Sequence, residues 1–591
     1  MQGGGAMSRQ LGIYAICGII MLLISCGKSK QKAPVEEETV DPLAEKIARK
    51  KAEEARREEE RRIAMDIQKR LARFAPTKID YDDKIVWDDL RPVLRKLIEA
   101  AQYMDEIFMV QVDPRNIEWR KKLSADPAMK NQLRLFDIMF GPWDRLDENK
   151  PFVFGVQKPP GANFYPTDMS KDEFQRYIKA FPEEEESFTS YFTVIRRKSD
   201  KTLEAVPYSD VYEMYLTPAA KLLKEAAALS NDRNLKKYLN ARADAFKSNE
   251  YRESDMAWMD LGKSDIEIVI GPYEVYEDAL MGLKAAFEAF VCIRDPEDSK
   301  KLARIVKYIP ELEKNLPMPR ELNKPRTGSE SPISVAVLLF SAGDTKAGVQ
   351  TLAFNLPNDE VVREKKGSKK VMLRNVAHAK FDQILIPIAK KMMIEEQMKN
   401  VTFEAFMNHT LMHETAHGIG PGMITLEDGT ETEVSKALQD LYPTIEEAKA
   451  DVLGLWSTNY LINKKVYPES FRHEVFSTFL GGFFRSVRFG AHEAHGQANA
   501  IQFNYLMAKK AVELTEEGVY KINYEEVPVA IEELARDLLL IEAKGDYEGA
   551  KKFIKQYGEL PKQLTEKLAS LTDIPVDIVP EYTILEKMKS W

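Results

Sequence analysis

FMNHTLMHETAHGIGPG, residues 406–422, contains three of the chain's seven histidines. Apolar side chains recur through this stretch at helical spacing, and Gly418, Gly420 and Pro421 follow the last histidine. The pattern predicts a helix that ends just after His417. Both a metal site and a solvated helix that happens to be rich in histidine are compatible with this stretch alone.

The spacing of two of the histidines suits a metal ion. Residues four apart share one face of a helix, so His413 and His417 can bind the same zinc ion, with Glu414 as general base toward a zinc-activated water. His409 would lie about 12 Å from His417 along the helix axis. That separation is too large for one ion, so we expect His409 to be a neighbour without a ligand role. The alternative, a chance His-Glu-x-x-His match, is uncommon in a chain with so few histidines.

A catalytic zinc site needs a third protein ligand. The stretch PTIEEAKADVLGLWS, residues 443–457, predicts a second helix with Glu446 and Glu447 in its first turn. Acidic residues there are also common as partners of the helix dipole, but the histidine motif upstream favours a ligand role. Asp451 is placed to accept a hydrogen bond from a ligating imidazole. Two imidazoles and one carboxylate would leave an open position for water, which predicts hydrolysis of a peptide bond.

Composition limits the class of protein. The chain has 591 residues, of which 44% are hydrophobic and 30% charged, so it is long enough for a large two-lobed enzyme. Its net charge of -9 argues against a nucleic-acid binder. Three cysteines, of which two lie near the N-terminus, exclude a disulfide framework in the folded body.

The N-terminal segment predicts export. Arg9 precedes an apolar run that ends in Leu-Ile-Ser-Cys at residues 23–26, as in a bacterial lipoprotein signal peptide of residues 1–26. A lipid on Cys26 would anchor the body to the cell envelope, facing the periplasm or the surface. An ordinary signal peptide and an uncleaved anchor are the alternatives, and the true start is Met1 or Met7.

The remaining chain divides by composition. Residues 27–78 predict a polar tether followed by a charged, solvated helix, with a coiled-coil stalk as the alternative. The body, 79–591, is mostly helical. Short β-rich runs interrupt the helices at 266–276, 289–293, 335–342 and 350–356. The predicted fold class is α+β.

These residues resemble the zinc-dependent dipeptidyl peptidase III family, in blocks between about residues 265 and 500. That family pairs a His-Glu helix with a Glu-Glu-x-x-Ala-Glu/Asp helix, which EEAKAD (446–451) matches. The resemblance implies one Zn²⁺ per chain, bound by His413, His417 and Glu447, with Glu414 as catalytic base. Asp451 and Glu446 would then support the ligands. The family usually has His-Glu-x-x-x-His, one residue longer than the spacing here.

Other blocks of the sequence resemble segments that bind the substrate in this family. FNLPND (354–359) is similar to the segment that binds the peptide N-terminal region, which implies Asn355 and Asn358. EIVIGPYEVYED (267–278) is similar to the block that binds the substrate amine, which implies Glu267. AHGQAN (494–499) resembles the segment with a transition-state histidine, which implies His495 as a second catalytic residue. Without the resemblance these residues would be interpreted as a turn, an edge-strand charge and a polar helix residue.

Two positions depart from the family pattern. A tyrosine expected near the substrate carbonyl is matched by Val269, and an arginine in the His495 block by Asn499. Both departures bear on efficiency and on strict dipeptide release more than on hydrolysis.

The resemblance implies two lobes separated by a wide cleft. One lobe has a small five-stranded β-barrel core, at about 79–292, 339–385 and 541–591. The other is helical and binds zinc, at about 293–338 and 386–540. The expected function is release of dipeptides from the N-termini of short peptides. The alternative is a peptide-binding envelope lipoprotein whose peptidase site is inactive or altered in specificity.

Overall fold

The computed structural model describes residues 42–262, 264–323, 333–489 and 494–591. Residues Ala64–Trp591 form one compact unit. The unit is mostly helical with a sheet-containing lobe, which confirms the predicted α+β class. Within the described ranges, none of the helices combines the length and the apolar character needed to cross a bilayer.

Helices dominate from end to end of the described chain. They are α1 (Pro42–Leu71), α2 (Arg91–Val112), α3 (Asn116–Ala125), α4 (Lys130–Met139), α5 (Lys171–Ala180), α6 (Glu185–Thr189), α7 (Tyr208–Val211), α8 (Glu213–Leu229), α9 (Arg233–Ser248), α10 (Arg252–Met259), α11 (Pro296–Val306), α12 (Ile309–Lys314), α13 (Glu360–Lys366), α14 (Arg374–Lys380), α15 (Ile386–Met392), α16 (Glu395–Met398), α17 (Phe403–Ala416), α18 (Val434–Leu438), α19 (Tyr442–Asn463), α20 (Phe471–Ser486), α21 (Ala494–Ala508), α22 (Val527–Lys544), α23 (Tyr547–Tyr557), α24 (Lys562–Ala569) and α25 (Ile584–Lys587).

The strands are mostly short. They are β1 (Phe74–Ile79), β2 (Trp143–Asp144), β3 (Lys150–Pro151), β4 (Thr193–Arg197), β5 (Leu203–Pro207), β6 (Ile266–Glu274), β7 (Ala286–Arg294), β8 (Ile333–Gly343), β9 (Ala353–Leu356), β10 (Lys369–Leu373), β11 (Met423–Thr425), β12 (Glu431–Glu433), β13 (Val512–Leu514), β14 (Tyr520–Ile522) and β15 (Asp577–Tyr582).

One five-stranded sheet has the order β6-β7-β8-β10-β9. Its pairs are antiparallel except for the parallel pair of β8 and β10. The number of strands is the predicted one, but the sheet is open: among the described residues β6 and β9 are its two edges, so the expected barrel is not closed. Strand β10 was not among the β-rich runs, because its two lysines mask the pattern.

The sheet is covered by helices of the N-terminal half. Helix α2 packs on β7 and β8, and α8 packs on α2 and α9. Strands β6 and β7 are buried along almost their whole length, which explains their nearly continuous apolar sequences. The lobe boundary predicted at residues 338–339 falls inside β8, in the middle of this sheet.

The helical region that follows the sheet holds the candidate site. Helix α17 packs against α19 and α20, and α19 also contacts α21 and α22. Helix α19 is buried on most sides, which explains why its sequence is largely apolar. Glu446 and Glu447 are among its few charged residues.

Helix α1 is exposed and carries ion pairs at helical spacing, such as Arg57 with Glu53 at 2.6 Å. It begins and ends near the predicted solvated helix. The predicted lipid-anchor sequence and nearly all of the tether lie outside the described residues.

Strands β1 and β15 form a parallel pair. Phe74 is opposite Asp577 and Ile79 is opposite Tyr582, so the first strand of the compact unit is joined to one near residue 580. The carboxylate of Asp577 is buried and accepts a hydrogen bond from Lys380 at 2.8 Å, which ties the pair to α14.

Candidate metal centre and active site

Helix α17 presents His413 and His417 on one face. Its N-terminus is capped by the Thr402 hydroxyl, which accepts from the Ala405 amide. The His417 amide still donates to the His413 carbonyl at 3.3 Å, so the four-residue spacing lies on a regular helical turn. The chain then leaves the helix, with Gly420 at a φ of 92°, a conformation that favours glycine.

The three predicted metal ligands lie together. The two Nε2 atoms of His413 and His417 are 3.2 Å apart, and Glu447 Oε2 is 3.5 Å from the first and 3.9 Å from the second. Among the described residues this is the group of histidine and acidic side chains whose ligand atoms all lie within 4.8 Å of one another.

Each imidazole is held by a carboxylate on α19. His413 Nδ1 donates to Asp451 at 2.7 Å, and His417 Nδ1 donates to Glu446 at 2.9 Å. A carboxylate can only accept, so each imidazole carries a proton on Nδ1 and directs its Nε2 toward the other ring. Gln502 and Lys449 hold the two carboxylates in turn, at 2.9 and 2.8 Å.

These residues fit a zinc ion. The two Nε2 atoms, 3.2 Å apart, and the Glu447 carboxylate converge on one place, where a single ion could bind all three. Although burial lowers the pKa of His413, the carboxylates of Asp451 and Glu447 raise it to about 9. The cluster therefore favours positive charge, and a His₂Glu donor set leaves a fourth position open.

His409 lies outside the ligand group. Its Nε2 atom is 3.5 Å from Asp451, and its ring packs edge-on against Phe479. Burial lowers the pKa of His409, which favours the neutral imidazole. Its position agrees with the expectation that it is a neighbour of the site.

The predicted base, Glu414, is next to the ligands and has a partner that the sequence did not indicate. Lys370 Nζ, from β10, donates to Glu414 Oε2 at 2.8 Å. Burial raises the pKa of Glu414, but the Lys370 ammonium outweighs it and holds the pKa below its ordinary value. His495, at the start of α21, places Nδ1 3.0 Å from Glu447 Oε2, so this residue also lies at the metal cluster.

The close approach of α19 to α17 depends on Gly454. A Cβ at this position would lie 3.0 Å from the His413 amide nitrogen and 3.1 Å from the Met412 carbonyl carbon.

Replacing Gly454 by alanine is therefore expected to lower stability by about 1–3 kcal/mol and to weaken metal binding, because the backbone of His413 must move. Thermal melting and a metal titration measure both effects. In the control Gly482→Ala the new Cβ has its nearest neighbour at 3.9 Å, so helix propensity should raise stability by up to about 1 kcal/mol. Equal melting temperatures for the two variants would contradict the expectation.

The asparagines predicted to bind substrate lie at the open edge of the sheet. Asn355 is exposed on edge strand β9, opposite Lys370 of β10. Asn358 donates to the Tyr273 carbonyl at 3.0 Å and lies 3.4 Å from a Glu274 carboxylate oxygen. An edge strand of this kind can bind an extended peptide through its backbone.

Glu267 does not lie where a substrate amine could reach it. It is 1% exposed, and its carboxylate accepts from Trp258 at 2.9 Å, Arg294 at 2.7 Å and Lys369 at 3.0 Å. Burial raises its pKa, but the two cations outweigh this and lower it. The position does not support the expected role in binding substrate and makes Glu267 part of a buried ion cluster.

Replacing Glu267 by glutamine is expected to destabilise the protein by about 3–5 kcal/mol, because Lys369 and Arg294 lose their counter-charge. KM for a peptide should stay unchanged in the folded protein. Melting temperatures and initial rates test both statements, with exposed Glu364→Gln as control. A raised KM at normal stability would restore the substrate-binding role.

The two departures from the family pattern also have a place in the structure. Val269 is a buried residue of β6, whereas Tyr276, two residues after Glu274, is 81% exposed. An exposed tyrosine is therefore present two residues beyond Glu274, although not at residue 269. The Asn499 side chain donates to the His495 carbonyl at 2.7 Å, so it is bonded to the backbone of its own helix, α21.

Comparison with known proteins places this chain in a family. A model of peptidase family M49 matches residues 162–449. A structure of DPP III from Caldithrix abyssi has 51% sequence identity and a TM-score of 0.86, covering 88% of this chain and 100% of that one. DPP III from Corallococcus sp. strain EGB has 41% identity and a TM-score of 0.74, covering 89% and 98%.

A plant protein named Nudix hydrolase 3, from Arabidopsis thaliana, is 37% identical over 580 residues, which is 89% of this chain and 75% of the plant protein. The stretch that the family model matches includes the five-stranded sheet and the residues His413, His417 and Glu447. The chain belongs to peptidase family M49, the family of the two DPP III structures, and is a metallopeptidase that acts on peptides.

Proposed function

We propose that this chain is a zinc-dependent exopeptidase that releases dipeptides from the N-termini of short peptides. The observation that carries the proposal is the cluster of His413, His417 and Glu447, with Glu414 beside it, in a chain of the M49 family. An intact general-base candidate supports catalysis over mere peptide binding, which does not need it.

Zinc bound by these three residues would supply a Lewis acid that polarises the scissile carbonyl and makes water a stronger nucleophile. Glu414 takes the proton from the attacking water and returns it to the nitrogen of the leaving amine. Asp451 and Glu446 keep the two rings oriented. His495 donates a hydrogen bond to the charge that develops on the carbonyl oxygen.

A carboxylate near Asn358 explains a preference for a free N-terminus. Burial raises the pKa of Glu274, and burial together with Asp344 and Glu274 raises that of Glu288. A peptide ammonium beside these carboxylates would stabilise their charged forms. We assign amine binding to Glu274, in place of Glu267.

Tetrapeptides with a free and with an acetylated N-terminus, incubated with and without a chelator, test the proposal. Release of dipeptides from the free-amine peptide alone, abolished by chelator and restored by Zn²⁺, is the expected result. Cleavage of both peptides indicates an endopeptidase. Absence of metal-dependent cleavage favours the peptide-binding alternative.

Glu274→Gln is expected to raise KM for the free-amine peptide by about 10- to 100-fold, the value of one charge-assisted hydrogen bond. KM for an acetylated peptide, if it is cleaved at all, should not change. The matched control is the exposed Glu360→Gln. An unchanged KM in Glu274→Gln would exclude this residue from amine binding.

We also propose that the protein is anchored to the bacterial cell envelope through a lipid on Cys26, with the peptidase facing outward. Arg9, the apolar run and the Leu-Ile-Ser-Cys sequence support this. Cys26→Ala should abolish incorporation of a labelled fatty acid, and labelling that persists would refute the anchor.

A further inference from the structure

Two consecutive lysines of β10 reach different sites. Successive side chains of a strand point to opposite faces, and Lys369 extends to buried Glu267 whereas Lys370 extends to Glu414 on α17. Lys369 belongs to the buried ion cluster. Lys370 is the contact between the sheet and the candidate catalytic base.

The Lys370 ammonium binds Glu414 twice. Its Nζ atom lies 2.8 Å from Oε2 and 3.1 Å from the backbone oxygen of the same residue. The side chains of Lys370 and Glu414 are only 15% and 24% exposed, so water competes weakly for the pair. Among the described residues Oε1 has no hydrogen bond, which leaves that oxygen for a water.

A purely structural role does not account for this contact. Helix α17 is already fixed on α19 by the Gly454 approach, by His413 with Asp451 and by Asn408, which donates to Thr458 at 2.9 Å. The contact with Lys370 is an addition to a helix that these three contacts already hold. What the double contact does fix is the rotamer of Glu414.

Lys370 also lies beside the strand on which a peptide would bind. Its Cα is opposite Asn355 of edge strand β9, and β9 and β10 are paired from Ala353 to Leu356. A peptide added to β9 would therefore be two strands from the lysine that holds the base.

We propose that Lys370 is a positioning residue, which orients the Glu414 carboxylate and connects it to the substrate-binding strands. This inference rests on the proposed function, since it gives Glu414 the role of base. Removing the lysine should lower the rate of the chemical step without weakening substrate or metal binding.

The test compares Lys370→Met, Lys370→Arg and the exposed control Lys365→Met as zinc-loaded, full-chain proteins. Lys370→Met should lower kcat by about 10- to 100-fold, with KM, zinc content and melting temperature close to those of the parent. Lys370→Arg should recover most of the rate, because a guanidinium can still donate to the carboxylate. In a crystal structure of Lys370→Met the Glu414 carboxylate should be displaced.

The double variant Lys370→Met/Glu414→Gln should be no slower than Glu414→Gln alone, since both changes act through the same carboxylate. Three results would each overturn the inference. They are a parental kcat in Lys370→Met, a Glu414 carboxylate that is not displaced in its crystal structure, and a further full loss of kcat when Lys370→Met is added to Glu414→Gln. Failure of the proposed function can be distinguished from failure of this inference. In the first case the parent protein and Lys365→Met both lack chelator-sensitive cleavage. The position of Glu414 in the crystal still tests the role of Lys370 in that case.

Discussion

Glu414→Gln is expected to lower kcat by about 10²- to 10⁴-fold while the metal stays bound. Glutamine keeps the shape and the size of the side chain, but its amide cannot take a proton from water. The ligand atoms of His413, His417 and Glu447 are unchanged, so zinc content should equal that of the parent. The result separates the loss of the base from the loss of the metal.

Initial rates with a free-amine tetrapeptide and metal analysis of the same sample provide the measurement. Glu404→Gln is the matched control, because it lies on the same helix and its exposed carboxylate pairs with Arg374. Parental kcat in zinc-loaded Glu414→Gln would show that another group is the base. A zinc-free variant would show instead that Glu414 supports the ligands.

Neighbouring glutamates on α19 should differ in their effect on metal affinity. Glu447→Gln is expected to weaken zinc binding by about 10²- to 10⁴-fold, since it removes one of three ligands from a total binding free energy of about 10–16 kcal/mol. Glu446→Gln should weaken zinc binding by only about 10- to 100-fold, because Glu446 holds the His417 ring without binding the ion.

Competition with a chromophoric chelator measures both affinities at one pH. Glu469→Gln, an exposed partner of Arg472, serves as control and should bind zinc like the parent. If Glu446→Gln is the weaker binder of the two, the ligand is Glu446 and the assignment of Glu447 is wrong.

The metal cluster was largely predictable from the sequence, because its geometry is local. His413 and His417 are related by one helical turn, and Glu446 and Glu447 are consecutive residues of one helix, in its second turn rather than in the predicted first turn. Only the contact between the two helices is long-range, and Gly454 was not recognised as the residue that permits it. The open sheet order was not predictable, since pairing between β8 and β10 involves strands that no hairpin joins.

The residue proposed to bind the substrate amine was harder to predict, because β6 carries acidic residues at both ends. Glu267 and Glu274 lie on a single buried strand. The sequence does not indicate which of the two carboxylates forms ion pairs within the protein. Glu267 has Arg294 and Lys369, which lie far along the chain. Lys370 was missed for a related reason. Nothing in the sequence distinguishes it from the other lysines, and only the folded strand β10 places it at Glu414.

The pairing of β1 with β15 has a consequence for biosynthesis. A chain made from its N-terminus exposes Phe74–Ile79 long before Asp577–Tyr582 exists, on the order of 25–100 s at about 5–20 residues per second. During that interval β1 has an open edge that can pair with other chains. A partly folded chain without β15 therefore keeps that edge exposed, and the last strand is what removes it.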